Sequence, residues 1–207
     1  PTPAAAKAVS MSELLVVNGL EFEGWLDRLV DAADFKGKRV VATNGIDAIP
    51  YEEGEGHDDH AHHDHGEFDP HAWQSLANAV TYVNNITAAL AQIAPDNAAE
   101  FYKNRANYIA EIKALDKEVR AMAARLPQDR RTVVTSHDAF QYFGRDYGLT
   151  FLAPQGISTD SEASAKDVVH LIKQMRAKNI SAVFVENISD PRLIKQIAKE
   201  TGANLGG

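Results

Sequence analysis

Downstream of Pro127, short β-branched and aromatic runs alternate with helical segments. That alternation restricts the chain to a parallel sheet covered on both faces by helices. Thr132-Val-Val-Thr-Ser-His137, Thr150-Phe-Leu-Ala153 and Ala182-Val-Phe-Val-Glu186 read as strands. Asp138 to Tyr147, Ser164 to Lys178, and a segment opened by Asp190-Pro191 and stopped by Gly202 read as helices. Ser164 and Asp167 stand at capping-box spacing.

The front of the chain repeats the theme less regularly. Glu13 to Asn18 and Lys38 to Ala42 read as strands. Glu21 to Val30 reads as a helix with Phe22, Trp25, Leu26 and Leu29 on one face, which makes Trp25 a core residue. Asp69-Pro70-His71 has the look of a helix start, with Asp as N-cap and Pro in the first turn, and the helix is expected to run to about Ile93. Pro95-Asp96 opens another. Its seam of Tyr108, Ile112, Leu115, Val119, Met122 and Leu126 marks a helix from Asp96 to Leu126, on the order of 45 Å long at ~1.5 Å per residue. Arg105 interrupts the seam and reads as a solvated position. The expected architecture is α/β. An N-terminal lobe (1–94) and a C-terminal lobe (128–207) each hold a parallel sheet flanked by helices, and one long bridging helix (95–127) joins them.

Charge is concentrated in one place. Of 29 Asp and Glu, eight fall between Glu52 and Asp69, a stretch without Lys or Arg; the other 21 balance 21 Lys and Arg. No basic patch remains to recruit nucleic acid. The same acidic stretch carries His57, His60, His62, His63 and His65 among glycines, with no apolar periodicity. Such a composition predicts a mobile loop (52–68) that captures metal, since imidazoles and carboxylates are ligands for zinc, copper and nickel. Cysteine is absent, so thiolate zinc sites, disulfides and cysteine nucleophiles are excluded. No run is apolar enough to span a membrane. The chain starts at Pro1 without a signal-like segment and stops at Gly207 just after a predicted helix, so both ends read as internal to a longer polypeptide.

Two further histidines are candidate ligands on ordered elements. His71 follows the acidic loop, and His137 ends an apolar strand, at the carboxyl edge where open α/β sheets bind ligands. A helix N-terminus is electropositive, so a metal near both would need an anion close by. Glu186, on the same edge, reads either as support for such a site or as a strand-end carboxylate receiving helix N–H groups; the second reading is favoured. His170 has no ligand-spaced partner. There is no His-Glu-x-x-His pattern, no Gly-x-Ser-x-Gly elbow and no phosphate-binding glycine loop.

The segments Leu14-Leu-Val-Val-Asn-Gly-Leu-Glu-Phe-Glu-Gly-Trp-Leu26, Asp69-Pro-His-Ala-Trp73, His137-Asp-Ala-Phe-Gln-Tyr-Phe143, Gly156-Ile-Ser-Thr and Ser164-Ala-Lys-Asp167 resemble the metal-specific solute-binding proteins of bacterial ABC importers, the zinc/manganese cluster. Val183-Phe-Val-Glu186 and Ile197-Ala-Lys-Glu-Thr-Gly202 continue the likeness. The resemblance implies two α/β lobes, a metal cleft between them, no enzymatic activity, and His71 and His137 as cleft ligands. It further implies Zn2+ as the transported ion, because manganese-type members tend to carry Glu at the position of His137. Importer permease subunits are the implied partners, a metal-donating chaperone is a further one, and the protein is expected to be a monomer in the periplasm or otherwise extracytoplasmic. The family's remaining ligands, a histidine ahead of Pro1-Thr-Pro3 and an aspartate after the last strand, fall outside this chain. A zinc-dependent hydrolase or lyase, with an open metal position and a nearby general base, is the competing class. A His-rich zinc buffer is the third.

Overall fold

The computed structural model describes residues 2–51, 67–157, 163–188 and 190–206. The chain divides into two compact units, Pro1–Asp116 and Lys117–Gly207.

The first unit opens with helix α1, Pro3–Ser10, which the sequence reading did not anticipate. Thr2 caps it through a hydrogen bond from the Ala5 N–H, and Pro3 occupies its first turn. Strand β1, Leu14–Val17, pairs in parallel with β2, Lys38–Val41, in the register Leu14 to Lys38 through Val17 to Val41. The crossover between them carries helix α2, which spans Leu26–Ala32 and buries Leu26 and Leu29. The expected helix from Glu21 does not form. Leu20 and Glu21 take positive φ values of 54° and 58°, and Glu23 turns its carboxylate back onto the Asn18 and Gly19 N–H groups. Trp25 therefore sits ahead of the helix and is 47% exposed, not core.

Gly19 has φ +84°, and a Cβ there would lie 2.5 Å from Val41 Cγ1 and 2.9 Å from Thr43 Oγ1. Gly19→Ala combines a left-handed backbone with a clash against β2, and should cost about 2–4 kcal/mol. A fall in the urea midpoint at constant m-value is the expected reading; an unchanged midpoint would contradict this packing.

Helix α3, Leu76–Ile93, starts at the buried Ser75, whose hydroxyl accepts the Asn78 N–H. It packs on β1 and β2, and Asn85 ties it down by donating to the Ala42 and Asn44 carbonyls. A 3-10 turn at Pro95–Asn97 leads into helix α4, Ala98–Ala124. Its 27 residues reach roughly 40 Å. The division between the two units falls inside this helix. The predicted seam holds only in part: Ile112 is buried, while Tyr108, Leu115 and Met122 are exposed. Arg105 is not merely solvated, because its Nε donates to Asn84 Oδ1 on α3 at 2.5 Å.

The second unit contains a four-stranded parallel sheet in the order β4-β3-β5-β6. The strands are β3 (Thr132–Val134), β4 (Thr150–Leu152), β5 (Ala182–Phe184) and β6 (Asn204–Gly206). The sequence reading missed β6. Helices α6, Ala165–Ala177, and α7, Arg192–Thr201, cover one face; Leu171, Ile172, Met175, Ile194 and Ile197 close on Val134 and Val183. Ser164 caps α6 by accepting the Asp167 N–H at 3.2 Å, and Gly202 ends α7 in the left-handed conformation. Helix α5, Gln141–Tyr147, sets Phe140 and Phe143 against Phe151 of β4. Phe151 pairs with Val133, one step out of phase with Val134 and Leu152, so α5 serves the opposite face.

Candidate metal centre

His71 is presented by a turn, not by the helix start that its sequence suggested. The residues after it, Ala72–Gln74, form one 3-10 turn, and α3 begins only at Leu76. Asp69 is 2% exposed, and its Oδ1 accepts both the His71 backbone N–H at 2.9 Å and Nδ1 of the His71 ring at 2.8 Å. One carboxylate oxygen thus fixes backbone and imidazole together. The proton it draws to Nδ1 leaves the ring lone pair on Nε2, the arrangement found behind most metal-ligating histidines. Trp73 meets the His71 ring edge-on, with centroids 5.2 Å apart, and Phe22 meets Trp73 at 5.0 Å. His71 as a whole is 6% exposed.

The turn is pinned from upstream as well. Pro50 and Phe68 form an antiparallel bridge, Tyr51 N–H donates to Glu67 O, and Asp69 N–H donates to Ile49 O. This clamp joins the two ends of the acidic, His-rich segment and sets Asp69. His57, His60, His62, His63 and His65 themselves lie outside the described residues.

His137 stands three residues beyond β3, where a parallel bridge to Gln155 extends the pairing past the strand. Glu186 stands two residues beyond β5, the neighbouring strand. Both therefore occupy the carboxyl edge of the sheet. Glu186 Oε1 accepts the Ser136 N–H at 2.7 Å and the His137 N–H at 3.2 Å, and Oε2 lies 2.6 Å from His137 Nδ1. Glu186 thus receives backbone N–H groups, from the strand-end residues Ser136 and His137 and not from a helix, while its second oxygen lies beside the His137 ring. Burial pushes its pKa up, but the hydrogen bond from the His137 ring, the His137 N–H, the charge interaction with that ring and the Ser136 N–H together hold it below the ordinary glutamate value. Asp138 is not the N-cap of α5. That helix starts after Phe140, and Asp138 instead accepts from Gln141 Nε2.

Each candidate ligand is thus a buried imidazole backed by a carboxylate. Among the described residues no three His, Asp or Glu side chains converge as a preformed metal cage. His170 is exposed and meets Gln174, as expected of a surface residue. The sequence reading missed Asp69 as the partner of His71; the signal was a carboxylate two positions ahead of a histidine, close enough to reach both its N–H and its ring.

Residues 1–207 match the family described as zinc-uptake complex component A, periplasmic, ZnuA. The iron-binding protein YfeA of Yersinia pestis is 33% identical over 207 residues, covering all of this chain and 64% of that protein. The zinc-binding lipoprotein AdcA of Streptococcus pneumoniae is 34% identical over 206 residues, covering 98% of this chain and 40% of that one. The chain thus spans less than two thirds of the length of these two relatives. The manganese-bound periplasmic metal-binding protein from Candidatus Liberibacter asiaticus superposes with a TM-score of 0.84 at 29% identity, over the whole chain and 73% of that structure. No helix among the described residues is long and apolar enough to cross a membrane. The match over the whole chain and the shared fold agree: the chain belongs to the ZnuA family of periplasmic metal-binding proteins.

Proposed function

We propose that this chain captures Zn2+ outside the cytoplasm and delivers it to the permease subunits of an ABC-type importer, without catalysing a reaction. The observation that carries the reading is the pair of carboxylate-backed imidazoles, Asp69–His71 and Glu186–His137. We further propose that His71 and His137 ligate the same ion. Two neutral nitrogen donors favour zinc over the harder manganese ion, which prefers oxygen. Relatives named for iron, zinc and manganese show that the family frame alone does not set the metal.

The loop histidines His57, His60, His62, His63 and His65 fit an accessory role in this proposal. A negatively charged tract concentrates cations and speeds encounter, an effect that weakens with salt. It hands the ion on and does not hold it. The protein acts as a monomer, and a metal-donating chaperone is a compatible upstream partner.

Chelator competition on the protein at its natural length tests the proposal. Zinc is expected to bind at least about a hundredfold more tightly than manganese, in line with ligand softness. Replacing residues 57–65 with a Gly/Ser linker should preserve that ratio and slow zinc loading at low salt. Equal affinities for the two metals would overturn the zinc reading. Loss of the tight site on loop replacement would make the loop a primary ligand donor.

A further inference from the structure

Asn18, the residue after β1, joins three parts of the first unit. Its main chain is held on both sides: the N–H donates to Glu23 Oε1 at 2.6 Å, and the carbonyl accepts from Thr43 Oγ1 at 2.6 Å. The side chain is held as well. Nδ2 donates to the Pro70 carbonyl at 3.0 Å and to the Gly19 carbonyl at 2.9 Å, while Oδ1 accepts from the Tyr82 hydroxyl of α3.

The Pro70 carbonyl and the His71 N–H belong to one peptide group, which is planar. Asp69 grips that group at its N–H and Asn18 grips it at its C=O. Proline has no N–H of its own, so the carbonyl is the only main-chain hydrogen-bonding group at that residue. With both ends tied, the peptide plane cannot rotate, and the direction in which His71 leaves the chain is set. The Pro70 and Gly19 carbonyls can only accept, so they call for Nδ2 on their side, and Tyr82 supports that orientation by donating to Oδ1. An aspartate could not replace this group, because the contact to Pro70 needs a donor.

We propose that Asn18 is a positioning residue for metal binding, acting through the Pro70–His71 peptide, with Tyr82 supporting its orientation. This rests on the reading of His71 as a ligand. Groups that orient a ligand from outside the coordination sphere typically contribute about 10- to 100-fold in metal affinity.

The test is zinc affinity by chelator competition, with metal-free thermal melting, on the natural-length protein carrying Asn18→Asp, Tyr82→Phe and His71→Ala, alone and in pairs. Asn18→Asp should weaken zinc binding about 10- to 100-fold, and Tyr82→Phe should do so to a smaller extent. In the His71→Ala background Asn18→Asp should have no further effect, because its influence passes through that ring. An equal loss in both backgrounds would show a general structural role and overturn the proposal. Zinc affinity within about threefold of the parent, with His71 still required, would also overturn it, being well short of the loss expected for such a group. Should Asn18→Asp fail to fold, Tyr82→Phe, which keeps the ring, carries the same comparison. Unchanged affinity in His71→Ala alone would sink the ligand reading itself, an outcome distinct from failure of Asn18.

Discussion

His137→Ala should weaken tight zinc binding at least about a hundredfold, equivalent to ~3 kcal/mol at ~1.4 kcal/mol per decade. The substitution removes a nitrogen donor and also strips Glu186 of the ring 2.6 Å from its Oε2. His71→Ala should have a loss of the same order, since Asp69 backs that ring in the same way. The decisive comparison is the double variant. If both imidazoles hold one ion, either single change removes the one tight equivalent, and the second change adds little. If they served separate ions, each single variant would retain half the stoichiometry. Isothermal titration after loop replacement reads both quantities without interference from the His57–His65 tract. Two tight equivalents in the parent, falling to one in each single variant, would refute the shared ion.

The regular parts of this fold were legible because they rest on local periodicity. Strands at Thr132, Thr150 and Ala182 and the capped helix α6 follow from apolar runs and from a Ser-to-Asp spacing that the structure uses as a cap. Errors arose where a side chain competes with the backbone. Phe22, Trp25, Leu26 and Leu29 do have helical spacing, yet Glu23 satisfies the Asn18 and Gly19 N–H groups and a left-handed turn takes the first part of that segment. Asp69-Pro70 carries the signature of a helix start, but Asp69 commits its carboxylate to His71. In both places the carboxylate holds a local turn ahead of the helix, which begins only at Leu26 in the first case and at Leu76 in the second. In α4 the buried Ile112 and the exposed Tyr108, Leu115 and Met122 all belong to one apolar pattern, and spacing alone could not say which edge of it would be covered.

The candidate site was legible by residue type and not by partner. His71 and His137 stand out as histidines at the start and end of ordered segments. The Asp69–His71 pair spans two positions and was within reach of local reasoning. Glu186 lies 49 positions from the His137 N–H it receives, and only the adjacency of β3 and β5 brings them together. Asn18 lies 52 positions from Pro70 and is likewise invisible without the parallel pairing of β1 and β2 and the docking of α3 on them. Long-range polar partners are fixed by strand order, which a single sequence does not state.

Glu186→Gln should separate metal binding from stability. Glutamine keeps a carbonyl oxygen that can accept the Ser136 and His137 N–H groups, now served by Oε1 at 2.7 and 3.2 Å. Its other terminal group is a donor, and it would face His137 Nδ1 where Oε2 now lies 2.6 Å away. The imidazole must then carry its proton on Nε2 to offer a lone pair to the amide. That tautomer has no lone pair left for a metal at Nε2. Zinc affinity should therefore fall about 10- to 100-fold, the usual cost of losing such an orienting carboxylate, while the metal-free melting temperature changes little. Glu186→Ala should behave differently. It removes the acceptor for both N–H groups at the sheet edge, at about 1–3 kcal/mol for each one left unsatisfied, so it should lower metal-free stability as well as affinity. Nitrogen-15 chemical shifts of the His137 ring in the metal-free protein read the tautomer directly. The proton is expected on Nδ1 in the parent and on Nε2 in Glu186→Gln. A parent-like tautomer together with parent-like zinc affinity in Glu186→Gln would show that the carboxylate does not govern the histidine. Glu186 would then be reduced to a terminus for the two backbone N–H groups that it accepts.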